Sequence, residues 1–250
     1  MAFDARLLEQ DPQRHLDAWM GEQFGPALAP ALGQVMRDYY DLAWERRPEF
    51  MGFGQTEPVT PNQRTAYMAS GGEEGMRRLL QYNALAARAE ELARQVAPAL
   101  RNAYFELVLY PVRGAANLNT RILGLDLAAE NARQGRPAAD HLVALAKQAH
   151  RDLVADTAAY NGMDGGKWNK MMDLAPRRLP VFAEPLWPSY GPARRSRCSL
   201  AYPAPYSAFG GKLAFHQGVA EARTVTLSGP AGQTVAWRLR GEAHGLRIQP

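Results

Sequence analysis

Arg101–Asn119, RNAYFELVLYPVRGAANLN, decides the fold. Its first half is apolar on nearly every side, at Ala103, Tyr104, Phe105, Leu107, Val108, Leu109 and Tyr110. A helix apolar all round must be buried all round, so this stretch predicts the centre of a helical assembly. Pro111 lacks a backbone N–H and crowds the preceding turn, which predicts a kink or break there. After Gly114 a helical period resumes at Ala115, Leu118, Ile122, Leu125, Ala129 and Ala132. Asn102, Asn117 and Asn119 lie close to this core and need partners, because an unpaired buried amide costs about 1–3 kcal/mol.

Upstream, Asp11-Pro12 predicts a helix start, with aspartate as cap and proline in the first turn. Leu16, Trp19, Met20 and Phe24 line one face, and Gly25-Pro26 ends it. A second helix is predicted over 28–44, with Leu28, Leu32, Val35, Tyr39 and Leu42 inward. Arg46–Ala69 then loses the helical period and carries three prolines and several aromatics. So long an irregular connection is uncommon in a compact domain and is often functional. Ser70-Gly-Gly-Glu73 has the form of a capping box. It predicts a helix to about Val96, with Met76, Leu80, Leu85, Leu92 and Val96 buried.

Downstream of the central stretch, Gly135 and Pro137 predict its end. A last helix is expected over 138–160, facing inward through Leu142, Leu145, Ala146, Ala149, Leu153 and Tyr160. Short turns between long helices predict an antiparallel up-down bundle. Beyond Gly162 come a glycine-rich turn and a proline-rich crossover, Glu184–Gly211. Strand patterns follow at Leu213–His216, Thr224–Leu227, Val235–Leu239 and Leu246–Ile248. The expected fold is therefore mainly α: a bundle domain over 1–188, then a linker and an incomplete, sandwich-like β tail over 189–250.

The chain has 250 residues, 46% of them hydrophobic and 22% charged, an ordinary globular balance. Mean hydropathy is -0.37 and no apolar run is long enough to span a membrane. The formal charge is +4, and the basic residues are scattered arginines with only Lys147, Lys167, Lys170 and Lys212 as lysines. Nucleic-acid binding needs a concentrated basic face, so no nucleic-acid partner is expected. A basic polynucleotide-binding bundle is the weakest reading and would require strongly salt-dependent binding. Cys198 is the single cysteine, so no internal disulfide forms. MAFDARLLEQDPQ lacks the basic and apolar regions of a signal peptide, so the chain as written reads as cytoplasmic.

Catalytic motifs are missing. The histidines His15, His141, His150, His216 and His244 have no metal-ligand spacing, so no metal and no cofactor is expected. Gly165-Gly166-Lys167 lacks the first glycine of a phosphate loop and is followed by Trp168 where Ser or Thr would hold magnesium. No GxSxG occurs. Asp126 and Glu130 share a helix face, and Glu49 and Glu57 share the long loop. Glycoside hydrolysis uses such carboxylate pairs, but caps and salt bridges account for them as well.

Three stretches carry a resemblance. They are Arg47–Pro58 (RPEFMGFGQTEP), Tyr104–Asn119 (YFELVLYPVRGAANLN) and Tyr160–Met172 (YNGMDGGKWNKMM), the last continued by Pro176–Phe182 (PRRLPVF). In order and spacing they resemble the C-terminal half of glycoside hydrolase family 115, the xylan α-1,2-glucuronidases. The resemblance covers roughly 10–187 well and the tail more loosely. It implies an enzyme family that removes (4-O-methyl-)glucuronic acid from xylan side chains, with an α/β domain, a TIM barrel, a helical domain and a β-sandwich. Members are often exported. The catalytic acids belong to the barrel, and this chain shows no eightfold βα pattern. The resemblance thus implies an accessory helical region, with catalytic residues elsewhere and no activity alone. Its implied partner is a catalytic barrel of the same or a neighbouring polypeptide, and through it glucuronic-acid-bearing oligosaccharides; a second copy of the chain is a further candidate. The alternative is a free-standing helical interaction module. Glu49, Phe50, Phe53, Gln55 and Glu57, together with Trp168, are the candidate substrate-binding or domain-interface residues, expected on one surface.

Overall fold

The computed structural model describes residues 11–47, 65–68, 72–133, 138–174, 183–191, 199–201, 226–228, 234 and 236–238. The described part is mainly helical, as the periodicity predicts. Helix α1 (Pro12–Phe24) opens on Asp11, whose side chain accepts the Gln13 N–H at 3.0 Å, with proline at the first position. It ends at Gly25 (φ 93°), and α2 follows over Ala29–Glu45. After a 3₁₀ turn at Ala66–Met68 come α3 (Glu73–Ala93), a second 3₁₀ turn (Pro98–Leu100) and the single turn α4 (Arg101–Tyr104). A π-helical turn (Phe105–Leu109) leads into α5 (Tyr110–Arg133), and α6 is Ala139–Gly166.

Contacts show that successive long helices run antiparallel. From α5 to α6, Tyr110 meets Tyr160, Arg113 meets Asp156, Arg121 meets His150, and Gly124 lies under Ala146. Partners advance along one helix as they retreat along the other. The same order holds from α2 to α3, where Asp38 meets Arg88 and Leu42 meets Arg78. It holds from α3 to α5, where Arg78 meets Asn119 and Glu90 meets Arg113. A Cβ on Gly124 would stand 3.3 Å from the Ala146 Cβ and 3.4 Å from the Leu142 carbonyl, so glycine sets the α5–α6 spacing.

The expected break at Pro111 is absent. The helix absorbs the proline by widening the turn before it, and the Tyr110 N–H donates to the Phe105 carbonyl five residues back. A π turn of this kind shifts the hydrogen-bond register, so the missing proline donor leaves the chain helical. The fully buried part of the central element also lies later than its composition suggests. Tyr104 and Val108 are buried, but Phe105, Leu107, Leu109 and Tyr110 are half-buried, whereas 121–128 are buried without interruption.

Three other expectations are corrected. Ser70 lies outside the described residues, and α3 starts at Glu73 from a left-handed Gly72 (φ 91°) in place of a serine cap, with Glu73 and Glu74 complementing the free N–H groups of its first turn. The core face of α3 is Leu79, Tyr82, Leu85 and Ala89 together with Arg78, so Met76 and Leu80 are exposed, Leu80 at 62%. On α6, Leu145 is exposed for the same reason, the buried stripe running through Leu142, Val143, Ala146 and Ala149.

Hydrophobic packing is divided in two. One cluster joins α1, α2, α3 and the π turn through Met20, Leu32, Val35, Tyr82, Tyr104 and Val108. The other joins α3, α5 and α6 through Leu79, Leu125, Ala128, Leu142 and Ala146.

In the tail, β1 (Ser199–Ala201) pairs antiparallel with β2 (Thr226–Ser228), Leu200 opposite Leu227. The first strand falls where a linker was expected. Ala236, Trp237 and Arg238, expected within a strand, carry none, and Trp237 is exposed. Leu213–His216 and Leu246–Ile248 lie outside the described residues.

Candidate functional site

Of the six candidate site residues, Glu49, Phe50, Phe53, Gln55 and Glu57 lie outside the described residues, and Trp168 lies within them. The bundle nevertheless shows how the loop bearing the first five is held. Its entry is fixed by Arg78, a wholly buried arginine on α3. The guanidinium donates to the Leu42 carbonyl at 3.1 Å, the Arg46 carbonyl at 2.5 Å and Asn119 Oδ1 at 2.9 Å. Glu45 lies 3.6 Å away, and the rings of Tyr67 and Tyr82 lie 5.4 and 5.0 Å from the guanidinium carbon. A buried cation is tolerable only when so fully paired. Burial raises the Tyr82 phenol above its ordinary range, against the lowering pull of Arg78.

The loop exit is fixed by Asp126, a buried carboxylate of α5 that accepts the Thr65 N–H at 2.8 Å. Both bases of the connection are thus pinned by buried polar side chains of the bundle. Met68, just past the exit, packs on the α3–α5–α6 cluster. A Cβ on Gly72 would come within 2.9 Å of Leu127, so the left-handed glycine also lets the incoming chain lie against α5.

Trp168 stands at the far end of α6. The helix loses regular geometry at Met163 (ψ 151°), Asp164 (φ 50°) and Gly165 (φ 68°). Asn102 donates to Asp164 at 2.7 Å, and Asn161 closes the turn by bonding the Met172 carbonyl at 2.9 Å and its N–H at 3.0 Å. Trp168 is half-buried, its ring lies 4.4 Å from Lys167 Nζ, and its buried indole N–H has no acceptor among the described residues. Asn102 and Asn119 are separated by roughly 26 Å of helix, at about 1.5 Å of rise per residue. The loop bases and the Trp168 turn therefore sit at different levels along the central element.

A polar seam that sequence patterning missed runs between α5 and α6. Arg113 binds both Asp156 oxygens along one guanidinium edge, Nη2 to Oδ1 and Nε to Oδ2 at 2.8 Å, and this contact raises the arginine pKa. Further along, buried Arg121 lies 3.4 Å from His150 Nδ1. Arginine only donates, so Nδ1 accepts and the imidazole is neutral. Burial pushes the Arg121 pKa down to about 10 and, with Arg121 beside it, holds His150 below its ordinary range. Trp187 covers His150 at 5.7 Å between ring centroids and donates to Glu184 at 2.8 Å, while the Tyr190 N–H reaches Asp140 at 2.8 Å. Residues 183–191 thus form an extended strap across α6. The pair Asp126 and Glu130 is structural: Asp126 holds the loop and Glu130 binds Arg133 at 2.5 and 2.9 Å. Among the described residues no three His, Cys, Asp or Glu side chains converge on a metal position, and no helix is long and apolar enough to cross a membrane.

No family model and no curated protein matches the chain. Among solved structures it is similar to a family GH115 4-O-methyl-α-glucuronidase with specificity for decorated arabinogalactans, at 30% identity and a TM-score of 0.60. The match covers 78% of this chain and 25% of that one. The chain spans about a quarter of that enzyme's length, and over that quarter it resembles a family GH115 glucuronidase in both sequence and fold.

Proposed function

We propose that this chain is the accessory helical region of a glycoside hydrolase that removes (4-O-methyl-)glucuronic acid from polysaccharide side chains. Catalysis then rests on a barrel in the same or a neighbouring polypeptide. The observation that carries the reading is the 30% identity and shared fold with part of a 4-O-methyl-α-glucuronidase. The roles of the described carboxylates agree with it, since Asp126 and Asp156 tie parts of the bundle together and Glu130 pairs with Arg133 on its own helix. Xylan is the substrate suggested by the sequence resemblance, and the solved relative is named for decorated arabinogalactans. What the two share is the glucuronic acid branch, so that branch defines the substrate class.

On this reading the connection between Arg46 and Thr65 faces the barrel. A loop clamped at both bases on a rigid scaffold is suited to presenting Glu49, Phe50, Phe53, Gln55 and Glu57 to a neighbour. Trp168, whose buried indole N–H has no acceptor among the described residues, is a second contact for the same neighbour.

The test is a glucuronic acid release assay on aldouronic acids and on glucuronic-acid-decorated arabinogalactan. The purified chain should give no turnover. Turnover by the chain alone would sink the accessory reading. Binding to unrelated proteins, with no barrel encoded beside it, would favour a free-standing interaction module.

A further inference from the structure

Helix α2 carries a stripe that the bundle does not use. Arg37, Tyr40, Asp41 and Trp44 are all exposed and follow at the three- and four-residue spacing of one helix face. Tyr40 is 53% exposed and Trp44 92%. The opposite face of the helix, through Leu32, Val35 and Leu42, packs into the core. Large aromatics one turn apart on an outer face have the character of interface anchors.

The charges of this helix point to the occupant. Asp38 and Glu45 are engaged within the bundle: Asp38 accepts from Arg88 at 2.9 Å and from Gln34 at 2.6 Å, and Glu45 lies 3.6 Å from Arg78. Arg37 and Asp41 stand on the stripe and have no hydrogen bond or ion pair among the described residues. They do not pair with each other although they are four apart, and with the cation first that is the weaker order within a helix. A patch that offers one charge of each sign is its own complement under a two-fold axis. Turn a second α2 antiparallel onto the first, with the axis passing between Arg37 and Asp41, and each Arg37 stands level with the partner's Asp41. Two equivalent ion pairs form, Tyr40 lies beside the axis, and Trp44 lies about 7.5 Å along the helix from it, toward each end of the contact. A uniformly acidic ligand or a uniformly basic surface would leave one of the two charges opposed.

We propose that the outer face of α2 is the interface of a homodimer, with Tyr40 and Trp44 as its apolar anchors and the Arg37–Asp41 pairs setting its antiparallel register. The proposal goes beyond the glycoside-hydrolase reading and does not depend on it.

Sedimentation of the full chain over a range of concentrations tests it. The native chain should pass from the 27.6 kDa monomer to twice that mass. Trp44→Ala should weaken association about tenfold, as truncation of an aromatic anchor does. Arg37→Asp makes the charges of the stripe wholly acidic and Asp41→Arg makes them wholly basic, so like-charge repulsion should weaken association of each variant with itself. An equimolar mixture of these two variants should associate again, a rescue that only pairing across the interface gives. All of these residues are exposed, and an unchanged melting temperature confirms that each variant is folded. A native chain that stays monomeric even at millimolar concentration overturns the proposal. So does a dimer that Trp44→Ala and Arg37→Asp both leave intact, or a mixture of the two charge variants that stays monomeric. A monomeric chain that joins a catalytic barrel through this face, with Trp44→Ala blocking the union, would refute the dimer and leave the accessory reading standing.

Discussion

Asp126 on α5 accepts the backbone N–H of Thr65 at 2.8 Å, across 61 residues of sequence. With Arg78 on the Arg46 carbonyl at the other base, it ties both described ends of the long connection to the bundle. A charge-assisted bond to a buried carboxylate contributes more than a neutral one, about 1.5–3 kcal/mol. Asp126→Ala should therefore lower stability by that amount and speed proteolytic nicking within 48–64. Amide exchange in α5 and α6 should stay protected. Unchanged nicking would mean that Thr65 is held by something else.

Arg78 is a stricter case. Arg78→Met leaves two carbonyls and the Asn119 amide oxygen short of donors in the core. The expected loss is about 3–5 kcal/mol, the range for breaking a buried charged contact. Arg78→Lys should not rescue it, since one ammonium cannot reproduce the planar fork. Urea unfolding should show a lower midpoint at unchanged slope. Lysine rescue to within about 1 kcal/mol would contradict the fork argument.

His150 predicts a pH dependence. Burial and Arg121 hold its folded pKa below the ordinary value, so the unfolded state takes up the proton first. Stability from this group is therefore fully present above the unfolded pKa of about 6.5 and falls as pH drops from there toward the folded pKa. His150→Gln should flatten the decline in melting temperature between pH 7 and pH 5. An identical slope in both proteins would show that His150 takes up its proton over the same pH range in both states.

Gly124→Val tests the spacing of α5 and α6. Its Cβ would meet Ala146 and the Leu142 carbonyl within 3.4 Å, and two further methyls add to that crowding. Overpacking of this kind costs about 1–3 kcal/mol. A melting temperature equal to that of the native chain would show that the helices can part.

The sequence made the helices legible where residue type and position agree. Asp11-Pro12 starts α1, and Leu32, Val35 and Leu42 point inward on α2. Reading failed where a polar side chain is buried. Arg78 sits on the core stripe of α3, and treating it as surface rotated the expected face onto Met76 and Leu80. Arg121, Asp126 and Glu130 are buried on α5 as well, where continuous burial leaves no polar side for periodicity to reveal. At Pro111 the rule for proline held, but the chain answered with a π turn that no local pattern announces. The loop anchors were out of reach for another reason: side chain and backbone partner are far apart in sequence, and neither residue type signals the bond.

The most direct measurement is release of 4-O-methylglucuronic acid by the barrel-bearing polypeptide encoded with this chain, assayed with and without the chain's helical region. The account predicts no release by the helical region alone, release by the two together, and a large loss when the region is removed. A barrel equally active without it, or product formed by the chain on its own, would contradict the account.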